Sequence, residues 1–192
     1  RDKVVLELGA GPGLVGITAV KLGARHTVLS DLNEKAIMEN LRANLSTNCP
    51  GSKRAQVLPL DLSKDFSTVE TFKEKTTIVP PVGFPEVVLA SDLAYEPELG
   101  CWLVDALRCI ISYSPSARRT RCFVCCQDRN PRTFEKFLTH INQAGLKAVP
   151  MVDSEKRSRN PSKTMLLQSL LNNNGIPPAL HLFEIEVRGS VS

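Results

Sequence analysis

Short apolar runs alternate with amphipathic segments along most of this 192-residue chain. Each apolar run is rich in β-branched and aliphatic residues and is bounded by turn residues, which is typical of a buried strand. The runs predict strands at Val4–Leu8, Arg25–Asp31, Ala55–Asp61, Pro85–Asp92, Cys122–Cys126, Leu146–Val152 and Ala179–Val187. The segments between them repeat apolar residues at helical spacing. They predict helices at Leu14–Leu22, Leu32–Leu45, Leu99–Ile111 and Phe134–Ala144.

The order of these elements predicts one α/β domain. Alternation of strand and helix indicates a parallel sheet with helices on both faces, and a chain of this length is enough for one well-buried domain. Two polar segments interrupt the alternation. We expect residues 63–85 to form a surface insertion and residues 153–163, which are basic, to form a mobile loop. Pro59 indicates that the third strand lies at an edge or ends irregularly.

Glycines follow the first strand directly and give the chain its main candidate site. Gly11, Gly13 and Gly16 satisfy the spacing GxGxxG, and Asp31 lies 20 residues after Gly11, as in a dinucleotide-binding fold. Glycines allow the backbone to approach a ligand closely, and the following helix presents free N–H groups. These features predict a nucleotide-type cofactor, and they are compatible with either NAD or S-adenosylmethionine.

Acidic residues near the ends of the predicted strands distinguish between these two cofactors. Glu7 precedes the glycines, while Asp31, Asp61 and Asp92 end three other strands. The carboxyl ends of parallel strands would bring these acids into one crevice. The loop itself contains no Lys or Arg that would meet a pyrophosphate. Because acids attract a positively charged sulfonium and repel a pyrophosphate, the charge pattern favours S-adenosylmethionine.

Composition narrows the remaining function classes. With 42% hydrophobic and 23% charged residues the chain is typical of a globular protein, and its formal net charge of +4 is too small by itself to indicate nucleic-acid binding. No apolar run reaches the roughly 18 residues that a membrane span requires. We expect a soluble, monomeric, cytoplasmic or nuclear protein with no membrane partner and no nucleic-acid partner.

The six cysteines do not form a recognisable metal site. Cys122 and Cys125 form a CxxC pair, but the pair lies inside an apolar strand and lacks a second CxxC or a Cys/His pair. Free cysteine usually behaves as a small hydrophobic residue. We therefore expect buried free thiols and no metal.

Two motifs resemble those of a known family. The stretch Glu7–Leu14 (ELGAGPGL), followed by Ser30 and Asp31, resembles the cofactor-binding motifs of the seven-β-strand methyltransferases. The stretch Ala90–Tyr95 (ASDLAY), followed by Pro97–Leu99, resembles the DxxY signature of their protein lysine methyltransferase branch, often called family 16. The resemblance covers most of the chain.

This resemblance implies a Rossmann-like class I methyltransferase, with a mostly parallel seven-stranded sheet, helices on both faces and an antiparallel last strand. It implies S-adenosylmethionine as the cofactor and methyl transfer to a lysine side chain of a protein substrate. The implied catalytic residues are Asp92 and Tyr95, which match the DxxY positions. The implied cofactor-binding residues are Glu7, Gly9, Ala10, Gly11, Gly13, Leu14, Asp31, Leu32, Asp61, Leu62 and Ser91.

The turn after the fifth strand carries a narrower resemblance. Gln127–Glu135 (QDRNPRTFE) is similar to the corresponding turn of the elongation factor 2 lysine methyltransferases, which implies a translation factor as the substrate. Two features depart from the family pattern. Leu62 stands where members usually have tryptophan, and the sequence lacks the cofactor-contacting residues that members carry before the first strand. We expect the single domain, residues 1–192, to lack its N-terminal segment.

Several of these residues also have structural interpretations. Asp92 can cap the helix that begins near Pro97, Tyr95 can be a packing residue and Asp61 can be a turn residue. Arg129 is expected to form a salt bridge at a strand end. Two other functions also remain open. One is methylation of histidine, arginine or RNA, and the other is a catalytically weak module that binds a partner.

Overall fold

Seven strands form one sheet in the part of the chain that the computed structural model describes, residues 1–66, 84–114, 120–151 and 180–187. The strands are β1 (Val4–Leu8), β2 (His26–Asp31), β3 (Ala55–Pro59), β4 (Val87–Ser91), β5 (Arg121–Gln127), β6 (Leu146–Pro150) and β7 (Leu180–Val187). Their order across the sheet is β3-β2-β1-β4-β5-β7-β6. The order reverses between β1 and β4, and ligands bind at such a switch point in sheets of this kind.

The strand directions agree with the predicted pattern. The strands β3, β2, β1, β4 and β5 are parallel neighbours, and Leu6 of β1 pairs with Val28 of β2 and Val88 of β4. In contrast, β7 runs antiparallel to both of its neighbours, β5 and β6. The prediction of a mostly parallel sheet with an antiparallel last strand is therefore confirmed.

The described residues contain four helices, each of which lies between two consecutive strands of the chain. They are α1 (Leu14–Lys21), α2 (Lys35–Asn48), α3 (Pro97–Tyr113) and α4 (Pro131–Gln143). A proline stands in the first turn of α3 and of α4, where its missing N–H is not needed. The side chain of Asn130 caps α4 by accepting a hydrogen bond from the Arg132 N–H at 3.0 Å. This cap fixes the path of the chain immediately after β5.

Apolar side chains on the two faces of the sheet form two clusters. Val28 belongs to a large cluster with α3 and α4, and its neighbour Leu29 belongs to a smaller cluster with α1 and α2. Since successive side chains of a strand point to opposite faces, helices cover both faces of the sheet, as predicted. The side chains with 0% exposure that α3 contributes are Leu103, Val104, Ala106, Leu107 and Ile110.

Some element ends differ from the prediction. The helix α2 begins at Lys35 instead of Leu32, because the carboxylate of Asp31 accepts a hydrogen bond from the Leu32 N–H and holds the chain in a turn. The strand β3 ends at Pro59 instead of Asp61, because the Asp61 N–H donates to the carboxylate of Asp65. The edge position predicted for β3 is confirmed.

Two segments predicted from the sequence fall largely outside the residues that the structure describes. Most of the surface insertion at 63–85 and all of the basic loop at 153–163 lie outside the described residues. In the described ranges, no helix is long and apolar enough to cross a membrane. The same ranges hold no group of three or more His, Cys, Asp or Glu side chains arranged to bind a metal ion.

The six cysteines are free thiols, as predicted. Cys109, Cys122 and Cys126 are buried, but the other three are only half-buried, so the expected burial applies to part of the set. Burial raises the pKa of both Cys122 and Cys126 to about 12. Because the thiolate is the reactive form, these two side chains act as core residues.

Candidate active site

The glycine loop joins β1 to α1 through left-handed backbone conformations. The φ angle is 51° at Gly11 and 85° at Gly13. A Cβ atom on Gly13 would lie 2.6 Å from the side chain of Leu41, so a larger residue does not fit there. A Cβ atom on Gly11 would meet no atom within 4 Å. The loop is therefore packed against the core at Gly13 and open at Gly11, where a ligand can approach the backbone.

Asp31 and the glycine loop are in direct contact. One carboxylate oxygen of Asp31 accepts a hydrogen bond from the Gly11 N–H at 2.6 Å, and the other accepts one from the Leu32 N–H at 2.7 Å. The Ala10 N–H donates to the carbonyl of Ser30 at 2.9 Å. The parallel strands β1 and β2 thus bring these predicted cofactor-binding residues together at their carboxyl ends.

Glu7 is buried in β1, with 2% of its surface exposed. Its carboxylate accepts a hydrogen bond from the Gly16 N–H at 2.9 Å, in the first turn of α1, where the helix dipole stabilises a negative charge. Burial is the main cause that raises the pKa of Glu7 to about 7, and the charge of Asp31 adds to the rise. In the structure Glu7 supports the helix that follows the loop, and its contact with a cofactor stays a prediction.

Replacing Glu7 with glutamine should change how stability depends on pH. The pKa of Glu7 is raised from 4.5 to about 7 on folding, so its contribution favours the fold below the lower value and is lost as the pH rises through the higher one. Glutamine keeps an oxygen for the Gly16 N–H but does not ionise. As the pH rises from about 5 to about 8, we expect the free energy of unfolding of the Glu7→Gln variant to increase relative to that of the wild type by on the order of 2 kcal/mol.

Urea denaturation at the two pH values measures this relative gain in the free energy of unfolding. The control is Glu39→Gln, which removes an exposed carboxylate from α2 and should show almost no pH-dependent difference. If the Glu7 variant differs from the wild type by the same free energy at both pH values, the raised pKa is wrong.

Asp61 closes a turn just after β3. One of its oxygens accepts hydrogen bonds from the N–H and the hydroxyl of Ser63, at 3.0 and 2.6 Å, and the other pairs with Lys64 Nζ at 2.9 Å. The hydrogen bond from the Ser63 hydroxyl is the largest cause that lowers the pKa of Asp61. These contacts agree with the alternative interpretation from the sequence, in which Asp61 is a turn residue. Leu62 packs against the large apolar cluster, and cofactor binding by either residue stays a prediction.

Asp92 follows Ser91, the last residue of β4, and has an unusual backbone. Its φ angle of 58° is uncommon for a residue other than glycine, and its N–H donates to the Cys125 carbonyl at 2.8 Å. The carboxylate accepts a hydrogen bond from Arg129 at 2.6 Å, which confirms the predicted salt bridge at a strand end. The alternative that Asp92 caps the next helix is wrong, because Glu96 occupies that position.

Exposed apolar side chains accompany these polar groups. The exposed fraction is 73% for Leu14, 41% for Leu32 and 48% for Tyr95. Leu14 follows the glycine loop, Leu32 follows Asp31 and Tyr95 lies in the turn after Asp92. Apolar surface beside a few convergent polar groups is typical of a small-molecule site. The exposure of Tyr95 argues against the alternative that it is a packing residue.

The charges of this edge suit a cationic cofactor. Glu7 lies in β1, Asp31 ends β2 and Asp92 follows β4, and these three strands are neighbours in the sheet. Residues 9–13 contain no lysine or arginine. The Asp31 carboxylate beside the loop would repel a pyrophosphate and attract ammonium and sulfonium groups. Glu7 is buried and Asp92 is paired with Arg129, so these two acids add less to the local charge. With the open side of Gly11, these residues fit S-adenosylmethionine better than NAD.

Sequence reasoning missed two supports of the site. The side chain of Leu93 lies so close to Gly9 that it would overlap a Cβ atom placed on Gly9. This contact packs the turn after β4 against the glycine loop. Gln127, the last residue of β5, accepts a hydrogen bond from Arg129 Nε at 3.0 Å. Both residues lie within the motif stretches quoted from the sequence, but their contacts depend on strand order, which no local pattern specifies.

Comparison with known proteins adds independent findings. A family profile described as lysine methyltransferase matches residues 1–144. The chain is 30% identical over 148 residues to human protein-lysine N-methyltransferase EEF2KMT, a match that covers 76% of this chain and 44% of that protein. It is 32% identical over 143 residues to protein N-lysine methyltransferase METTL21A of Danio rerio, covering 74% of this chain and 57% of that protein. The chain thus spans about half the length of these curated relatives.

Solved structures share the fold. The ribosomal protein L11 methylase of Lactobacillus delbrueckii subsp. bulgaricus aligns with a TM-score of 0.57 at 14% sequence identity. The alignment covers 97% of this chain and 71% of that chain. At this identity the likeness is one of fold alone, and it confirms the predicted Rossmann-like methyltransferase architecture.

Proposed function

This chain belongs to the lysine methyltransferase family, and we propose that it transfers a methyl group from S-adenosylmethionine to a lysine side chain of a protein substrate. The observation that carries the proposal is the arrangement at the switch point of the sheet. The glycine loop is open at Gly11 and held by Asp31, and the half-exposed Asp92 stands at the end of the neighbouring strand β4. A cofactor cradle and a carboxylate that can meet an amine thus share one edge of the sheet.

The residues of the chain mainly bind and orient the reactants. S-adenosylmethionine supplies a methyl group on a sulfonium, which is already a good leaving group. Gly11, Asp31 and Leu32 would hold the cofactor, and Asp92 with Tyr95 would orient the target amine. A bond forms between the lysine nitrogen and the methyl carbon while the carbon–sulfur bond breaks. Alignment of the two reactants supplies most of the rate enhancement in such a displacement.

The target lysine must lose a proton to solvent water before its nitrogen can attack the methyl group. Its unperturbed pKa is about 10.4, so the unreactive ammonium predominates at neutral pH. Once the amine is neutral, Asp92 can accept a hydrogen bond from it and direct the lone pair towards the methyl group. The aromatic face of Tyr95 can stabilise the positive charge that develops on the nitrogen.

We infer that the protein substrate is a translation factor. The turn Gln127–Glu135 resembles that of the elongation factor 2 lysine methyltransferases, and the relative named EEF2KMT is 30% identical over 76% of this chain. Arg129 of this turn contacts Asp92, so the turn borders the site where a substrate lysine would enter. We also propose that the chain acts as one monomeric domain in the cytoplasm or the nucleus.

Labelling with radioactive cofactor tests the class of substrate. The protein, incubated with cell lysate and methyl-tritiated S-adenosylmethionine, should label a band that resists ribonuclease and is lost on protease treatment. Purified elongation factor 2 should be labelled in the same assay. Label confined to RNA would contradict the proposal. No label, together with no binding of cofactor in calorimetry, would favour a module that only binds a partner.

A further inference from the structure

A charged pair lies at the opening of the proposed site. The Arg129 guanidinium donates to the Asp92 carboxylate at 2.6 Å, with 50% and 47% of the two side chains exposed. Nε of the same guanidinium donates a hydrogen bond to the side-chain oxygen of Gln127 at 3.0 Å. Arg129 is therefore held from two sides, and it links the end of β5 to the end of β4.

Asp92 is fixed by its backbone as well as by its side chain. Its N–H donates to the Cys125 carbonyl at 2.8 Å, and its φ angle of 58° directs the residue away from the strand path. Backbone conformations of this kind cost roughly 1–3 kcal/mol and are concentrated at functional sites. Arg129 contacts Oδ2 of Asp92, whereas Oδ1 has no hydrogen-bond partner in the described part of the chain. One oxygen is thus held and the other is left for a second partner.

The charge of this pair determines which form of an incoming amine is favoured. An isolated carboxylate stabilises the ammonium form of a nearby lysine and raises its pKa. The ammonium has no lone pair and cannot accept a methyl group. A carboxylate that is already paired with a guanidinium exerts a weaker net field, yet its free oxygen can still accept a hydrogen bond from a neutral amine.

We propose that Arg129 is a positioning residue for methyl transfer, which holds Asp92 by one oxygen and offsets its charge so that the target amine enters in the neutral form. The inference rests on the proposed function, since it concerns the lysine that Asp92 meets. It extends that function, because Arg129 would help to set the pH range in which the enzyme is active.

The other titratable groups near this pair do not supply the same effect. On β5, burial raises the pKa of the Cys125 and Cys126 thiols, so both are neutral at physiological pH. Asp128 follows β5 and adds negative charge, and Glu96 in the turn after β4 does the same. In the described turns after β4 (residues 92–96) and after β5 (residues 128–130), Arg129 is the one basic side chain.

The pH dependence of methyl transfer tests this inference. With lysate proteins as the probe, the rate at which methyl-lysine forms is measured from about pH 6.5 to about pH 10 for the wild type, Arg129→Gln and Arg129→Lys. Removing the positive charge should move the rising limb of the Arg129→Gln profile to higher pH by about one unit. Its rate should be about tenfold lower near pH 7.5 and should approach the wild-type rate at the alkaline end. Arg129→Lys keeps a point charge and should stay close to the wild-type profile.

A matched control and a binding measurement separate this role from a structural one. Arg132→Gln removes an exposed arginine from the first turn of α4, three residues away, and should leave the profile unchanged. All the variants should bind S-adenosylmethionine with wild-type affinity in calorimetry. If Arg129→Gln lowers the rate of methyl-lysine formation by the same factor at every pH, or does not lower it at all, the inference is overturned while the proposed function stands. A wild-type protein that labels no lysine would overturn both.

Discussion

Replacing Asp92 with asparagine should lower the rate of methyl transfer by about 100-fold or more, because a small loss of alignment at the reacting atoms is worth roughly that factor. Asparagine has nearly the same shape as aspartate, but it carries no charge, so the ion pair with Arg129 is lost. The neutral amide also accepts a weaker hydrogen bond from the target amine than the charged carboxylate does, so the amine is aligned less well with the methyl group. The rate constant at saturating cofactor and substrate should fall, while the affinity for S-adenosylmethionine should change little.

The choice of asparagine keeps the result interpretable. Asn tolerates the left-handed backbone better than most residues, and Asp92 has a φ angle of 58°. Alanine at this position should also stop transfer, but it should add a loss of stability of about 1 kcal/mol from backbone strain. The control is Glu96→Gln, which removes an exposed carboxylate from the same turn and whose side chain makes no capping hydrogen bond. An Asp92→Asn enzyme that works within a few-fold of the Glu96→Gln enzyme would remove Asp92 from the mechanism.

Adding a single methyl group at Gly11 should weaken binding of S-adenosylmethionine by about 10- to 100-fold. A Cβ atom at this position meets no protein atom within 4 Å, so it would collide only with a cofactor that is bound against the loop as proposed. Overpacking by one methyl group costs roughly 1–3 kcal/mol, and each 1.4 kcal/mol corresponds to a factor of about ten in the dissociation constant. Titration calorimetry with the cofactor measures the effect.

Gly51 offers a matched control for Gly11. It also has a left-handed backbone, with a φ angle of 67°, and a Cβ atom there would likewise meet nothing within 4 Å. It lies between α2 and β3, at the amino end of that strand, whereas Gly11 lies at the carboxyl end of β1. Both Gly→Ala variants should lose about 1 kcal/mol of stability in urea, but only Gly11→Ala should lose affinity. Equal affinities of the two variants would show that the cofactor does not approach Gly11.

The sequence was sufficient to predict the architecture and to place Gly11, Asp31 and Asp92 at the carboxyl ends of neighbouring strands. Gly11 and Asp31 were linked by spacing alone, and the structure joins them by a hydrogen bond of 2.6 Å. Asp92 was placed at the same edge because it ends an apolar run in a series of parallel strands. These inferences succeeded because a parallel sheet brings the carboxyl ends of its strands to one side, whatever the loops do.

Contacts between side chains could not be predicted in the same way. Glu7 was predicted to bind the cofactor, but its hydrogen bond with the Gly16 N–H in the first turn of α1 could not be predicted from the sequence. Asp31 also delays the start of α2 by three residues relative to the prediction, because its carboxylate holds the Leu32 N–H in a turn. The role of Gln127 in holding Arg129 depends on where β5 ends relative to β4. Each of these contacts depends on geometry between elements, which local patterns do not encode.

Amino-acid analysis of the labelled protein tests the central claim most directly. After labelling with methyl-tritiated S-adenosylmethionine, the modified protein is hydrolysed in acid and its amino acids are separated. The account predicts that the label elutes as methylated lysine. It also predicts that this peak is lost when the wild-type protein is replaced by the Asp92→Asn variant, which still binds the cofactor. A label that elutes as methylated histidine or methylated arginine would contradict it.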